Sequence, residues 1–277
     1  MSLVTDLERD AFRDSGILLL KGFYDQSTQV APILEGIRVI IELLCFKYKV
    51  DAPTQTADLA MTEGFMALIR RDRAYGGEVY DAVKQIPEFM QLVSDMRNSC
   101  LFRELRSGSI PGLAAGGYGI RIDCPGEATF RAPWHQEFPA QLRSLDGIVY
   151  WTPLVSIRPS LGPVEVCVGS HREGIVPVHT ALDSAQQGAY ALRLVGEAER
   201  LAKYQHQSPL TEPGDLLLMD FLTLHQSGEN VDAYPRWSIQ FRYFNFVNPL
   251  GVKISWKGSF AGGQDFRAIL DQAEVAI

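Results

Sequence analysis

The sequence predicts an α+β fold in which helices, drawn mainly from the N-terminal half, flank a β-rich jelly roll of the cupin-like kind. Three observations lead there. Apolar residues recur at helical spacing before position 107. Around Ser107-Gly108-Ser109-Ile110-Pro111-Gly112, glycine and proline become frequent and strict alternation replaces that spacing. Beyond it, short strand-like runs follow one another between turns, the pattern of double-sheet jelly rolls and barrels. The change of character reads as the start of a β-rich portion and not as a linker. Residues 1–277 are therefore expected to form a single domain: 1–106 mainly helical with one early strand, 107–250 the jelly-roll core, and 251–277 a C-terminal tail and helix.

Taken in order, Val4 to Arg13 is acidic early and carries Leu7 and Phe12 on one face, so it reads as a short helix closed near Gly16. Ile17 to Phe23 follows as a buried strand. From Asp25, a plausible N-cap, Val30, Ile33, Ile37, Ile41 and Leu44 mark one helical face, expected to pack on the outside of a sheet. Residues 51 to 98 continue helically in three apolar groups separated by Gly76-Gly77 and Pro87. The best strands are Tyr118 to Asp123, Ile148 to Val155, Pro163 to Val168, Asp215 to Asp220 and Trp237 to Phe246. Thr180 to Gln207 is polar and only partly periodic, either a lid near the site or a solvated excursion. Asp265 to Val275 reads as a terminal helix.

Composition narrows the class of function. Lys plus Arg number 26 against 33 Asp plus Glu, a net charge of -7 that disfavours nucleic acid and anionic lipid as partners. The four cysteines, Cys45, Cys100, Cys124 and Cys167, are too scattered for a zinc site or a disulfide framework and suit buried thiols in a reducing compartment. The first residues lack the basic and apolar regions of a secretory signal, and the longest apolar runs are too short to span a bilayer. The expectation is a cytoplasmic protein acting on a small molecule, with no membrane or nucleic-acid partner and an oligomeric state left open.

The stretch that carries chemistry is Ala132-Pro133-Trp134-His135-Gln136-Glu137-Phe138, taken with the distant His225. A His-x-carboxylate pair plus one far histidine is the ligand set that holds Fe(II) on one face and leaves the other open, which suggests a non-haem iron oxygenase. In a strand, side chains two apart point the same way, so His135 and Glu137 would face a barrel interior while Gln136 faces away. In the last strand Arg236, Ser238, Gln240 and Arg242 alternate with Trp237, Ile239, Phe241 and Tyr243. Inside a barrel the polar face would line the cavity and offer an arginine to the distal carboxylate of 2-oxoglutarate.

Trp134-His135-Gln136-Glu137, Val149-Tyr150-Trp151-Thr152-Pro153-Leu154, Gly162 through His171, and Gly214-Asp215 through His225-Gln226-Ser227-Gly228 to Arg236 and Tyr243 resemble, in this order, the phytanoyl-CoA dioxygenase-like (PhyH) family. The resemblance spans about residues 110 to 250, with weaker support from Gly16 to Phe23. It implies a double-stranded β-helix that binds Fe(II) through His135, Glu137 and His225. It also implies a site for 2-oxoglutarate at Arg236, with Ser227, Gln136, Trp151 or Ser238 as helpers, and O₂ as oxidant, giving succinate and CO₂. No protein nucleophile or other catalytic residue is implied beyond the metal ligands. The family usually has Asp where this chain has Glu137; the added methylene changes reach and keeps a hard anionic ligand. Related halogenases carry a small residue there, so Glu137 favours hydroxylation or another oxidation.

Other residues have bland readings beside functional ones. Arg121 and Tyr118 could reach an acidic substrate, or Arg121 could simply pair with Asp123. Arg242 is the rival to Arg236 as the carboxylate clamp. Trp151 is most simply core packing, His171 a turn residue, and His179 and His206 exposed. Asp123 and Glu127 form a carboxylate pair with no motif attached. The competing functions are a cupin-like metal protein that binds or isomerises a carbohydrate without oxidation, and a binding protein that has lost catalysis. Arg236 discriminates, because non-oxidative cupin chemistry has no need of a dicarboxylate clamp.

Overall fold

The computed structural model describes residues 2–181, 191–258 and 265–275. Thr5 and Glu8 form a reciprocal capping box that opens the first helix, Asp6–Ser15, slightly later than expected. Gly16 closes it at φ 75°. A side chain at Gly16 would meet both a strained backbone and neighbours, since a Cβ there would lie 2.4 Å from His171 Nδ1 and 2.5 Å from Thr223 Oγ1. The strand that follows stops at Leu20, because Gly22 turns the chain at φ 60°.

Asp25 caps a wide turn through Ser27 and Thr28, and the long helix Ala31–Tyr48 buries Ile33, Ile37, Ile41 and Cys45. After the short turns Ala57–Leu59 and Ala60–Gly64 come the helices Phe65–Arg71, Arg73–Val83, Pro87–Val93 and Met96–Leu105. Here the expected breaks are half right. Pro87 does open a helix, but Gly76-Gly77 lie within Arg73–Val83, and the interruption falls at Asp72, whose side chain accepts from the Ala74 N–H as an N-cap. Helical hydrogen bonding and packing here outweigh the local preference of glycine for turns.

Eleven strands occur among the described residues: β1 Ile17–Leu20, β2 Pro111–Leu113, β3 Gly119–Asp123, β4 Gly147–Pro153, β5 Val164–Cys167, β6 Val178–Thr180, β7 Leu192–Leu194, β8 His206–Gln207, β9 Leu216–Asp220, β10 His225–Ser227 and β11 Arg236–Asn245. The main antiparallel sheet runs β1-β9-β4-β11-β2, with β3 also paired to β11; the small sheet runs β10-β5-β8, and β6 pairs β7. Of the Thr180 to Gln207 excursion, residues 182–190 lie outside the described residues, and the rest supplies β7, the helix Glu197–Leu201 and β8. The terminal helix is Phe266–Gln272.

Alternation along the strands divides the main sheet between two cores. Ile148, Tyr150, Leu216, Leu218, Trp237 and Ile239 face the helices. Val149, Trp151, Leu217 and Met219 face the other way and pack with Val164 and Val166 of the small sheet. Two sheets closing on a shared interior, with helices outside the larger one, is the jelly-roll arrangement expected.

A buried polar node fastens helices to sheet. Asn98, on Met96–Leu105, is fully buried; it accepts from the Tyr24 hydroxyl at 2.7 Å and donates to Leu92 O at 2.9 Å. Its own carbonyl accepts from Tyr150 of β4 at 2.9 Å, and the Tyr243 hydroxyl of β11 reaches Val93 O at 3.2 Å. Asn98→Ala would leave the buried Tyr24 hydroxyl without its acceptor and remove the side-chain donor to Leu92 O, which keeps a backbone N–H, and should lower stability by about 2 kcal/mol. Urea unfolding would read this as an earlier midpoint with an unchanged slope; an unaltered midpoint would mean the node contributes nothing.

Candidate metal and co-substrate site

The segment carrying His135 is not a regular strand. His135 makes a single antiparallel bridge with His225, each backbone N–H donating to the other's carbonyl at 3.0 Å. Two residues on, the Glu137 N–H donates to Phe221 O at 2.9 Å and begins a short helical turn, Glu137–Ala140. The expectation of a full strand is corrected, while its consequence stands: His135 and Glu137 both line one cavity and Gln136 does not.

Among the described residues, His135, Glu137 and His225 form the one cluster able to hold a metal ion, with ligand atoms all within 4.8 Å of one another. His225 Nε2 lies 3.9 Å from Glu137 Oε2, and the two imidazole centroids are 4.2 Å apart. Each Nδ1 is tied to the backbone two residues back, His135 to Pro133 O at 2.7 Å and His225 to Thr223 O at 2.8 Å. A ring that donates through Nδ1 presents Nε2 as a lone pair, the tautomer a metal requires.

Protonation states agree. Burial, reinforced by His135, pushes His225 down to about 3, so its approach to Glu137 is not an ion pair at neutral pH. Burial likewise lowers His135. For Glu137 burial alone would raise the carboxyl, but the Arg242 guanidinium leads the interactions that hold it below its ordinary value. Two neutral imidazoles and a carboxylate are the deprotonated donor set that suits Fe(II).

Register explains the cavity's far wall. β11 pairs β3 and β4 so that Ser238 faces Arg121 and Pro153, Gln240 faces Gly119 and Trp151, and Arg242 faces Val149. Directly opposed residues in an antiparallel pair point to the same side, so the polar face of β11 is the inner one. Gln240 and Arg242 line the cavity with Arg121, Tyr118, Trp151 and Ser227.

Arg236 sits one hydrogen bond behind that wall. It is fully buried, and its Nη2 donates to Ser227 Oγ at 3.0 Å and to Asp123 Oδ2 at 2.7 Å. Its Nε and Nη1 have no protein partner, and neither does buried Trp151 Nε1. Buried guanidinium N–H groups are expensive to leave unpaired, so this corner is chemically prepared for an anionic oxygen ligand.

Other expected site residues fall differently. Gln136 spends its amide on backbone, donating to Gly174 O and Leu222 O at 2.8 Å each and accepting from Val176 N–H at 2.8 Å. It braces the ligand segment and has no group left for a co-substrate. Ser238 is buried with an unpartnered Oγ but is not among the residues lining the cavity. Arg242, the rival clamp, instead grips Glu137, Nε to Oε1 at 2.8 Å and Nη2 to Oε2 at 3.3 Å. Arg121 satisfies both of its readings, lining the cavity while pairing with Asp123 at 2.6 Å. Glu127 pairs with Arg73 at 2.6 Å, which removes the Asp123–Glu127 carboxylate pair as a site. His171 Nε2 donates to Arg13 O at 3.0 Å beside a tight turn, and His206 contacts Glu165 at 2.8 Å. Sequence reasoning missed Tyr80, Gln141 and Gln226 in the cavity wall, and nothing in their local pattern marks them.

The phytanoyl-CoA dioxygenase (PhyH) family model matches residues 12–237. No curated protein sequence matches this chain. Among solved structures, EctD from S. alaskensis with bound Fe is similar with a TM-score of 0.57 at 16% identity, over 94% of this chain and 81% of that one. The epimerase SnoN in complex with Fe3+, alpha ketoglutarate and nogalamycin RO gives 0.57 at 16% identity, over 89% and 86%. AviO1 from Streptomyces viridochromogenes Tue57 gives 0.54 at 16% identity, over 90% and 98%. At such identities the structural likeness is one of fold. The family match, however, runs from within the first helix through His135, Glu137, His225 and Arg236, and on it the chain belongs to the phytanoyl-CoA dioxygenase (PhyH) family.

Proposed function

We propose that this chain is an Fe(II)- and 2-oxoglutarate-dependent oxygenase that hydroxylates a small or carrier-linked metabolite. The main support is the convergence of His135, Glu137 and His225 within 4.8 Å beside a buried arginine with two unpaired nitrogens. His135 Nε2, His225 Nε2 and a Glu137 oxygen would hold the iron. Arg236 Nε and Nη1, with the Ser227 hydroxyl, would take the distal carboxylate of 2-oxoglutarate, and Trp151 Nε1 could donate to a co-substrate oxygen. Bound together with O₂, the iron and 2-oxoglutarate supply the oxidising chemistry, with succinate and CO₂ as co-products.

The protein's own part is placement. The backbone bridge fixes the two imidazoles, Pro133 O and Thr223 O fix their tautomers, and Arg242 keeps Glu137 ionised. A non-oxidative cupin would leave the orphaned Arg236 nitrogens without purpose, which disfavours the carbohydrate-isomerase alternative. The oxidative outcome is less constrained than the cofactors, since SnoN is an epimerase and the similar SnoK a carbocyclase. Retention of Glu137 as a third protein ligand supports oxygen transfer over halogenation.

Anaerobic addition of Fe(II) and 2-oxoglutarate to the protein should develop the visible charge-transfer band of the chelate. Well-folded protein that stays colourless would sink this reading. His135→Ala should abolish the band, whereas Arg236→Ala should retain iron and weaken 2-oxoglutarate by about 10- to 100-fold, the loss of charge-assisted hydrogen bonds. A second expectation concerns Arg242. Arg242→Leu leaves Glu137 buried without its main counter-charge, so the metal-free protein should melt several degrees lower. Fe(II) replaces the missing charge, so its stabilising shift should exceed that of the unaltered protein; equal shifts in a thermal melt would refute the compensation.

A further inference from the structure

A second cavity of about 330 Å³ adjoins the metal-site cavity of about 320 Å³. Tyr80, Arg121 and Gln240 line both, and from there the second chamber passes around the edge strand β3 to Phe65, Phe130, Ile122 and Gly77. Alternation on β3 makes this passage possible, because Arg121 faces the barrel interior while Ile120 and Ile122 belong to the opposite face.

The helix Arg73–Val83 carries two adjacent glycines, each destabilising by about 1 kcal/mol relative to alanine. Gly76 has a packing reason: a Cβ there would lie 2.7 Å from Arg73 Nη1 and 2.8 Å from Ile69 Cγ2. Gly77 has none. A Cβ at Gly77 meets nothing within 4 Å, and its φ is not in the left-handed region. Gly77 is exposed and borders the chamber, so a larger side chain there would suit the helix better and stand at the chamber's rim, and what glycine preserves at this position is an open mouth.

The lining also indicates what the space accepts. Both cations are paired, Arg73 with Glu127 at 2.6 and 2.8 Å and Arg121 at 2.6 Å with Asp123, a carboxylate it shares with Arg236, whose spare charge the 2-oxoglutarate carboxylate proposed there would meet. The Arg73 guanidinium further covers the Phe130 ring at 4.6 Å. Paired charges give little attraction to an anion, while Phe65, Phe130 and Tyr80 offer aromatic surface that favours a flat apolar group.

We propose that this chamber is a substrate subsite, which receives an uncharged, ring-bearing apolar body while the carbon to be oxidised lies beside His135, Glu137 and His225. The assignment rests on the oxygenase reading and extends it to a class of substrate.

The test uses the full chain loaded anaerobically with Fe(II) and 2-oxoglutarate, titrated with prodan, a neutral two-ring naphthalene dye whose emission shifts to the blue in apolar surroundings. The unaltered protein should bind one dye per chain. Gly77→Leu should weaken that binding about tenfold or more, leave the charge-transfer band unchanged, and raise the melting midpoint because leucine is the better helix former. Phe130→Ser, at a half-exposed wall position, should also weaken the dye. Equal binding by Gly77→Leu and the unaltered protein, or no binding by the latter, would overturn the subsite. A lower melting midpoint for Gly77→Leu would overturn it too, since the glycine would then serve packing. Absence of the charge-transfer band in the unaltered protein is a separate failure: it removes the oxygenase reading, while the dye titration still decides whether the chamber binds such a body.

Discussion

The reciprocal backbone hydrogen bonds between His135 and His225 are the constraint on which the site depends. One antiparallel bridge, 3.0 Å in both directions, brings together residues ninety positions apart and places their rings side by side. The Glu137 N–H to Phe221 O bond then pins the other end of the same segment, and the Gln136 amide staples its outer face to Gly174, Val176 and Leu222. The ligand segment is thus held on both sides of every donor, which makes the three-ligand geometry a property of the backbone and not of three independent rotamers.

Holding charge inside a barrel requires compensation, and the inner face supplies it in two linked sets. Arg242 serves Glu137. Asp123 lies between Arg121 and Arg236; burial would raise its carboxyl, but the two guanidiniums together hold it well below the usual carboxylate range. Asp123 accepts one Arg236 nitrogen and leaves Nε and Nη1 without a protein partner, the two donors proposed above for a carboxylate. It therefore acts as an internal counter-ion that lets a fully buried arginine exist before any ligand arrives. Breaking such a buried pair by removing one partner is costly, on the order of 3–5 kcal/mol, which is why Asp123 is more than a passive neighbour.

What was legible in the sequence follows from which signals are local. Period-2 alternation from Arg236 to Tyr243 survives into β11 because a one-residue slip would put Trp237 in the cavity and Arg236 in the helical core. The His135, Glu137 and His225 set was readable because metal ligation constrains residue type itself. The role of Gln136 was misjudged for the complementary reason: an amide can serve a ligand or a backbone carbonyl equally well, and only three-dimensional placement chooses. Arg242 and Arg236 both stood on the polar face, and the strand pattern could not say that one ends at Glu137 and the other at Asp123 and Ser227. Gly76-Gly77 misled because glycine signals a turn only where nothing else stabilises the helix.

The same division bears on specificity. The metal-binding cluster His135, Glu137 and His225, and the Ser227 and Arg236 proposed for the co-substrate, all come from the β-rich portion. The second chamber takes Phe65, Arg73, Gly77 and Tyr80 from the helical layer, which the Asn98 node ties to β4 and β11. Because the wall of that chamber shares Tyr80 and Gln240 with the metal cavity, a change in helix position would move the substrate surface relative to a site the sheet holds still. Helical packing in this region needs only apolar residues at the right spacing, so its identity can drift without disturbing the ligand segment. With the substrate in the chamber proposed above, its choice would change by altering side-chain volume on Arg73–Val83 while His135, Glu137, His225 and Arg236 keep their partners. This explains physically why a motif names the cofactors of this chain and leaves the shape of its substrate to a stretch with no motif at all.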